Sequence, residues 1–307
     1  EKGLSTISTK KLVEGVPECS MGFGFCEHCL YGKQNRVKFK GEGDRATAIL
    51  DLVHSDVCES PEESLGGSRY FVSFIDDYSR HAWIYFLKRK SEVINKFREF
   101  KALVENQFDR RIKVLRTDNG KEYEPVDKFC AEVGIARQNT IRYTPQQNGV
   151  AERLNRTLMD KARCMLSWAG LKSEFWAEAV ATACYLKNRT PTSAVVDQTP
   201  FEVLHGRKPR MAHVRVFGCD AYMHVPKEKR TKLDLKSEKC KFVGYKDGVK
   251  GYKLWNPETQ KIVYSRDVVF RETPTAVTVD EALTEKPEIT ELEVCPTVMV
   301  EDSDPLD

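Results

Sequence analysis

No apolar stretch of about 18 residues occurs, so no membrane-spanning helix is written into these residues, and no secretory signal pattern appears. The ten cysteines are scattered, apart from one close pair. That argues against a disulfide scaffold and for a reducing intracellular compartment. Histidine is scarce: there are 6, and His28 is the only one before His54. No convincing Ser/His or Cys/His nucleophile pairing stands out, which leaves little basis for a covalent enzyme intermediate. A strong excess of either charge is missing too, with a net charge of +3. That balance hides a division. Residues 271–307 carry eleven acidic groups against Arg271 and Lys286, a local −9, so residues 1–270 hold 47 basic and 35 acidic groups, or +12. A basic body suits a polyanionic partner, because neutralising phosphates releases counterions. A solvated surface of mixed charge explains the same count. At 307 residues and 40% hydrophobic content, one sizeable core with one or two small satellites is expected. Glu1 stands where a complete chain would have Met, as expected of a fragment or a piece of a polyprotein.

Three acids in unlike contexts carry the chemistry. Asp56 ends the apolar run from Ile49; Asp118 follows Ile112-Lys113-Val114-Leu115-Arg116-Thr117, and Asn119-Gly120 turns the chain after it. Glu152 opens a helical pattern after Gln147-Asn148-Gly149-Val150-Ala151. Two carboxylates at strand ends and one on a helix assemble a site for hard divalent cations from distant sequence. Mg²⁺ takes oxygen ligands, usually one or two protein carboxylates, and leaves room for substrate phosphate. A pair of such ions serves in-line phosphoryl displacement. Any one of the acids alone would be an ordinary turn or surface residue.

The segments His54-Ser55-Asp56-Val57, Phe74-Ile75-Asp76-Asp77-Tyr78-Ser79-Arg80, Arg116-Thr117-Asp118-Asn119-Gly120 and Tyr143-Thr144-Pro145-Gln146-Gln147-Asn148-Gly149-Val150-Ala151-Glu152-Arg153 resemble the integrase of copia-type LTR retrotransposons. The resemblance runs from about residue 1 to about residue 272. It implies an RNase H-like α/β core and a D,D,E triad of Asp56, Asp118 and Glu152 binding two Mg²⁺ or Mn²⁺. It also implies transfer of a DNA 3′ end into target DNA by a multimer on paired ends. The nucleus follows as the site of action, after a cytoplasmic particle.

In residues 1–40, Cys26-Glu27-His28-Cys29 is half of a tetrahedral zinc site and needs two more ligands. The resemblance implies an upstream histidine pair. None stands here, so a truncated zinc-binding module is expected, complete with Zn²⁺ only in the full-length parent. A ligand role for Cys19 or His28, or two unmetallated cysteines, are the alternatives.

The catalytic core is expected over residues 45–207. Tyr70–Ile75 and Ala82–Leu87 are aromatic and β-branched runs joined by Asp76-Asp77-Tyr78-Ser79-Arg80, a hairpin. A helix starts at Ser91-Glu92, a strand at 112–117 delivers Asp118, and a helix near 125–133 and a strand near 137–141 follow. Asp76 and Asp77 fit a turn better than a metal site. Asp51, five residues before Asp56, faces the opposite side of its strand. Asp118 and Glu152 lie 34 positions apart, two fewer than the resemblance leads one to expect, with the shortening placed around Glu124-Pro125. Gln147 and Asn148 are candidates to hydrogen-bond a DNA end; Asn148 is equally a good N-cap. Asn155 and Arg156 share the face of Glu152, and Arg156 is placed to meet phosphate or to pair with Glu152. Met159 occupies the position where retroviral relatives often carry a second basic residue. A further helix over 173–190 has an apolar stripe that core packing explains.

From Val216 the chain changes to four or five short strands, and a small SH3-like β-barrel is expected over 214–272. Its basic loop, Lys227–Lys232, is a candidate for DNA backbone contact or a solvated loop. Residues 273–307 are expected to be an acidic disordered linker. A DNA strand transferase, with DNA ends, target DNA and further copies of itself as expected partners and none in membranes, is the leading reading. An RNase H-like nuclease using water, and a degenerate nucleic-acid-binding fragment, are the competing readings.

Overall fold

A computed structural model describes residues 45–139, 148–246 and 248–272. Cys26, Cys29, Gln147 and the acidic segment from 273 onward lie outside the described residues. The first apolar runs become a mixed sheet. β1 (Leu52–Glu59) pairs antiparallel with β2 (Tyr70–Asp76), which pairs antiparallel with β3 (Ala82–Leu87). On its other side β1 runs parallel to β4 (Val114–Thr117), and β4 runs parallel to β5 (Ala136–Asn139), giving the order β3-β2-β1-β4-β5.

The two-residue period of β2 divides the core. Val72 and Phe74 point to one face, where Phe97, Phe100 and Val104 of α1 (Val93–Phe108) and Val126 of α2 (Glu124–Val133) cover them. Phe74 stacks on Phe100 with ring centroids 4.5 Å apart. Phe71 and Ile75 point to the other face, against Leu154, Leu158 and Ala162 of α3 (Gly149–Ala169) and Ala179 and Val180 of α4 (Trp176–Arg189). At the expected shortening, a 3-10 turn over Lys121–Tyr123 runs straight into α2 at Glu124, with no loop between them. A short helix, α5 (Pro200–His205), was not expected from the sequence; Thr199 caps it by accepting a bond from the Glu202 N–H at 3.1 Å.

Asp76 and Asp77 serve the hairpin turn and more. Asp76, fully buried, accepts from the N–H groups of Leu50 and Ser79, both at 2.8 Å. Asp77 meets His54 Nε2 at 2.8 Å, the Ala46 N–H at 2.8 Å and Arg80 at 3.1 Å. The pair thereby fastens the segment entering β1, where Leu50 holds a left-handed φ of 65°.

The second sheet is antiparallel throughout. β6 (Asp220–His224), β7 (Ser237–Tyr245), β8 (Tyr252–Asn256), β9 (Lys261–Ser265) and β10 (Val268–Arg271) lie in the order β10-β6-β7-β8-β9. Its own core is Cys219, Ala221, Cys240, Phe242 and Leu254. The expected barrel is not hydrogen-bonded shut: four-residue β10 pairs with β6 alone, so β9 and β10 are the two ends of the ladder.

This sheet sits on α3 and α4. Phe175 meets Trp255 at 5.0 Å, Tyr185 stacks on Tyr245 at 4.3 Å, and Lys253 pairs with buried Glu178 at 3.0 Å. Two glycines permit the close approach. A Cβ on Gly218 (φ +80°) would lie 2.1 Å from Ala169 Cβ, and one on Gly244 (φ +131°) 2.7 Å from Thr182 Oγ1. Gly218→Ala is therefore expected to cost about 2–4 kcal/mol in urea unfolding, from left-handed strain plus overpacking. A loss below about 0.5 kcal/mol would show that the sheet does not depend on this contact. No helix among the described residues is long and apolar enough to cross a membrane.

Candidate metal centre

The site is built where the parallel ladder stops. β1 pairs with β4 only through His54, opposite Arg116, while its pairing with β2 continues to Glu59. Asp56 therefore lies within β1, not at its end, on the stretch that projects past β4. Asp118 comes two residues after Arg116, as Asp56 comes two after His54, so the two acids occupy equivalent positions along neighbouring strands. Asp118 turns the chain at once: its Oδ1 accepts from the Gly120 N–H at 3.1 Å. Arg137 steadies the end of β4, binding Asp127 at 2.6 Å and Thr117 Oγ1 at 2.7 Å.

Glu152 enters from the first turn of α3. All three acids are half-buried. Burial first, then the charge of Asp118, then that of Glu152, push the Asp56 carboxyl up to about 6, against a hydrogen bond from Asn155 that lowers it. No basic side chain is among these influences. The contrast with other acids of the chain is informative. Asp51 pairs with Lys113, Asp127 with Arg137, and Asp220 with Lys239 and Lys241. Among the described residues none of the three site acids has such a partner. Nor, among the described residues, do any three His, Cys, Asp or Glu side chains stand close enough together to hold a metal ion as they are placed. The donor chemistry still fits a hard divalent cation: half-buried oxygens, mutually repelling, that a cation would relieve.

The other expected site residues divide. Asn155 is buried and donates from Nδ2 to Asp56 Oδ2 at 2.9 Å, so it orients a carboxylate and is not presented to DNA. Helical spacing put it beside Glu152; its partner is 99 residues away in sequence. Asn148 stands at the N-cap of α3, but its side chain does not cap. It is fully buried and donates to the Ser55 carbonyl at 3.0 Å, a correction to its expected contact with a DNA end. Arg156 is exposed on α3, one turn beyond Glu152. The basic loop after β6 is largely exposed. Two cavities, of about 480 and 390 Å³, lie elsewhere, the first around Pro191–Thr199 and the second around Tyr185, Tyr245 and Lys250. Neither includes an acid of the triad.

Two family models match the chain: the integrase core domain over residues 47–145 and the retroviral polymerase SH3-like domain over residues 219–282. The first contains Asp56 and Asp118 and stops seven residues short of Glu152. The retrovirus-related Pol polyprotein from transposon TNT 1-94 of Nicotiana tabacum is 48% identical over 283 residues, covering 91% of this chain and 21% of that polyprotein. The corresponding polyprotein from transposon RE1 of Arabidopsis thaliana is 36% identical over 247 residues, or 80% of this chain and 17% of the relative. A chain from a simian T-cell lymphotropic virus intasome in complex with PP2A regulatory subunit B56 gamma overlays at a TM-score of 0.45 and 16% identity. It covers 76% of this chain and 83% of that one, too loose a likeness to carry an argument. The chain is an RNase H-like integrase core followed by a retroviral SH3-like domain. It belongs to the integrase region of the Pol polyproteins of copia-type retrotransposons, and it spans about a fifth of the length of the curated relatives it matches.

Proposed function

We propose that this chain catalyses divalent-metal-dependent DNA strand transfer, inserting the 3′ ends of element DNA into target DNA. What supports this reading is that Asp118 and Glu152 bring their charges to bear on Asp56 at the end of the sheet's central strands, with no basic partner for any of the three among the described residues. Asp56 and Asp118 present oxygens from neighbouring strands, and Glu152 supplies another from α3. Asn155 holds Asp56 in one orientation. Exposed Arg156 would meet a DNA phosphate, and Gln147, which lies outside the described residues, would hydrogen-bond the DNA end. Mg²⁺ or Mn²⁺ held by the three acids would activate the attacking hydroxyl and stabilise the leaving oxygen. A half-exposed site at the end of the sheet's central strands suits a polymer laid across it. The chain would act as a homo-oligomer on paired DNA ends, in the nucleus after a cytoplasmic particle stage. Cys26 and Cys29, outside the described residues, would be half of a zinc site of the parent protein.

The test is a joining reaction between a labelled duplex end and supercoiled plasmid, with Mg²⁺ or Mn²⁺ and no nucleotide. Label covalently attached to plasmid supports strand transfer. Plasmid nicked without label attachment would favour a water-using nuclease on the same acids. Formation of neither product, with all components present, would overturn the catalytic reading.

A further inference from the structure

Three polar side chains buried behind the acids have no part in the chemistry described so far. Ser55 is 0% exposed, Tyr123 2% and Asn148 0%, and each belongs to a different carrier of the triad. Ser55 precedes Asp56 in β1; Tyr123 closes the 3-10 turn that begins three residues after Asp118; Asn148 stands at the head of α3, one turn before Glu152. The Ser55 and Tyr123 hydroxyls meet at 2.8 Å, and the Asn148 amide donates to the Ser55 carbonyl at 3.0 Å.

We infer that Ser55, Tyr123 and Asn148 form a buried polar latch that sets the spacing of the three acids; this rests on the metal-site reading of those acids. Apolar residues would pack these positions adequately if packing were all they did. Tyr123 lies in the core beside Val126 and Leu115, where a phenyl ring would fit without the burden of a hydroxyl. Hydroxyl and amide bonds fix direction and distance, which dispersion contacts do not. Strand pairing holds β1 to β4 only through His54, so it leaves the projecting part of β1 unfastened on that side. The latch joins that part to the segment after Asp118 and to α3. Ser55 is its hub, meeting Tyr123 through its hydroxyl and Asn148 through its carbonyl. These are positioning residues, since none faces the reacting atoms.

The experiment uses the full chain and two readouts. The first is the Mn²⁺ midpoint of a thermal shift, in parent, Tyr123→Phe, Ser55→Ala, their double variant, and Val104→Ala as a core control away from the latch. Supporting residues behind ligands tune affinity, so each latch variant is expected to raise the midpoint about tenfold. The double variant should be no worse than the poorer single one, and Val104→Ala should leave the midpoint unmoved. The second readout is amide exchange without metal: Asn148→Ala is expected to speed exchange in residues 149–156 and leave α1 unchanged. Midpoints unchanged in Tyr123→Phe and Ser55→Ala, with Mn²⁺ binding in the parent, would overturn the latch. Absence of any Mn²⁺ shift in the parent would instead overturn the metal-site reading, and the spacing role with it. Unaltered exchange in Asn148→Ala would overturn the tether to α3 whatever the metal does.

Discussion

Asp56→Asn is expected to abolish strand transfer, by at least about 1000-fold, while making the metal-free protein more stable at neutral pH. The two effects have one cause. Asp56 is half-buried beside Asp118 and Glu152, and its carboxyl is pushed up to about 6 from an ordinary value of 3.8. A carboxyl raised in the folded state binds its proton more tightly there than in the unfolded chain. The penalty of ionising it is therefore absent below about pH 4, develops between about 4 and 6, and is complete above that range. Asparagine carries no charge and can still receive the Asn155 amide through its side-chain oxygen. The stability gained in Asp56→Asn is expected to be near zero at about pH 4 and about 1–3 kcal/mol at pH 7.5. Urea unfolding of both proteins at the two pH values, with chelator present, measures it. A variant less stable than the parent at pH 7.5 would contradict the repulsion that defines this site.

Asp76→Ala is expected to be among the most destabilising single changes in the core, costing about 2–5 kcal/mol. Its carboxylate serves two buried N–H groups, those of Leu50 and Ser79, and alanine would leave both unpaired. The strained φ of Leu50 then loses the bond that holds it. Asp76→Asn keeps one acceptor and is expected to lose less. Neither change should move the Mn²⁺ midpoint, because Asp76 belongs to the turn and not to the metal site. Urea unfolding gives the stability and thermal shift gives the midpoint. A loss under about 1 kcal/mol would mean the two N–H groups find other partners.

Much of this architecture was legible in the chain. Alternating and β-branched runs mark β1 to β4, and helical spacing marks α1 and α3, because both signals are local. The three acids were legible through their contexts, a strand, a turn and a helix opening. Their alignment was not. The equivalence of Asp56 and Asp118 depends on the register between His54 and Arg116, a pairing of distant segments that no local pattern encodes. For the same reason the partner of Asn155 proved to be Asp56 and not a helical neighbour. Asn148 looked like a cap because its residue type is a good one; the Ser55 carbonyl, beyond the last ladder pair with β4, claimed its amide instead. Ser55 and Tyr123 gave no signal, since one serine in a strand and one tyrosine after a turn are unremarkable until they meet. The helix α5 had a readable start in Thr199-Pro200-Phe201-Glu202, a cap, a first-turn proline and an acid at the third helical position. The open ladder of the second sheet was not legible, because closure depends on whether β9 and β10 reach each other.

The most direct measurement is Mn²⁺-dependent reversal of a branched DNA integration intermediate by the parent, Asp118→Asn and Glu152→Gln proteins. It asks for the chemistry of the three acids with the fewest demands on the rest of the assembly. Resolution of the branch by the parent, lost in both variants while their folds melt cooperatively, is the expected result. Activity that survives either substitution would contradict the assignment of Asp118 and Glu152, and no activity in any of the three would contradict the catalytic reading itself.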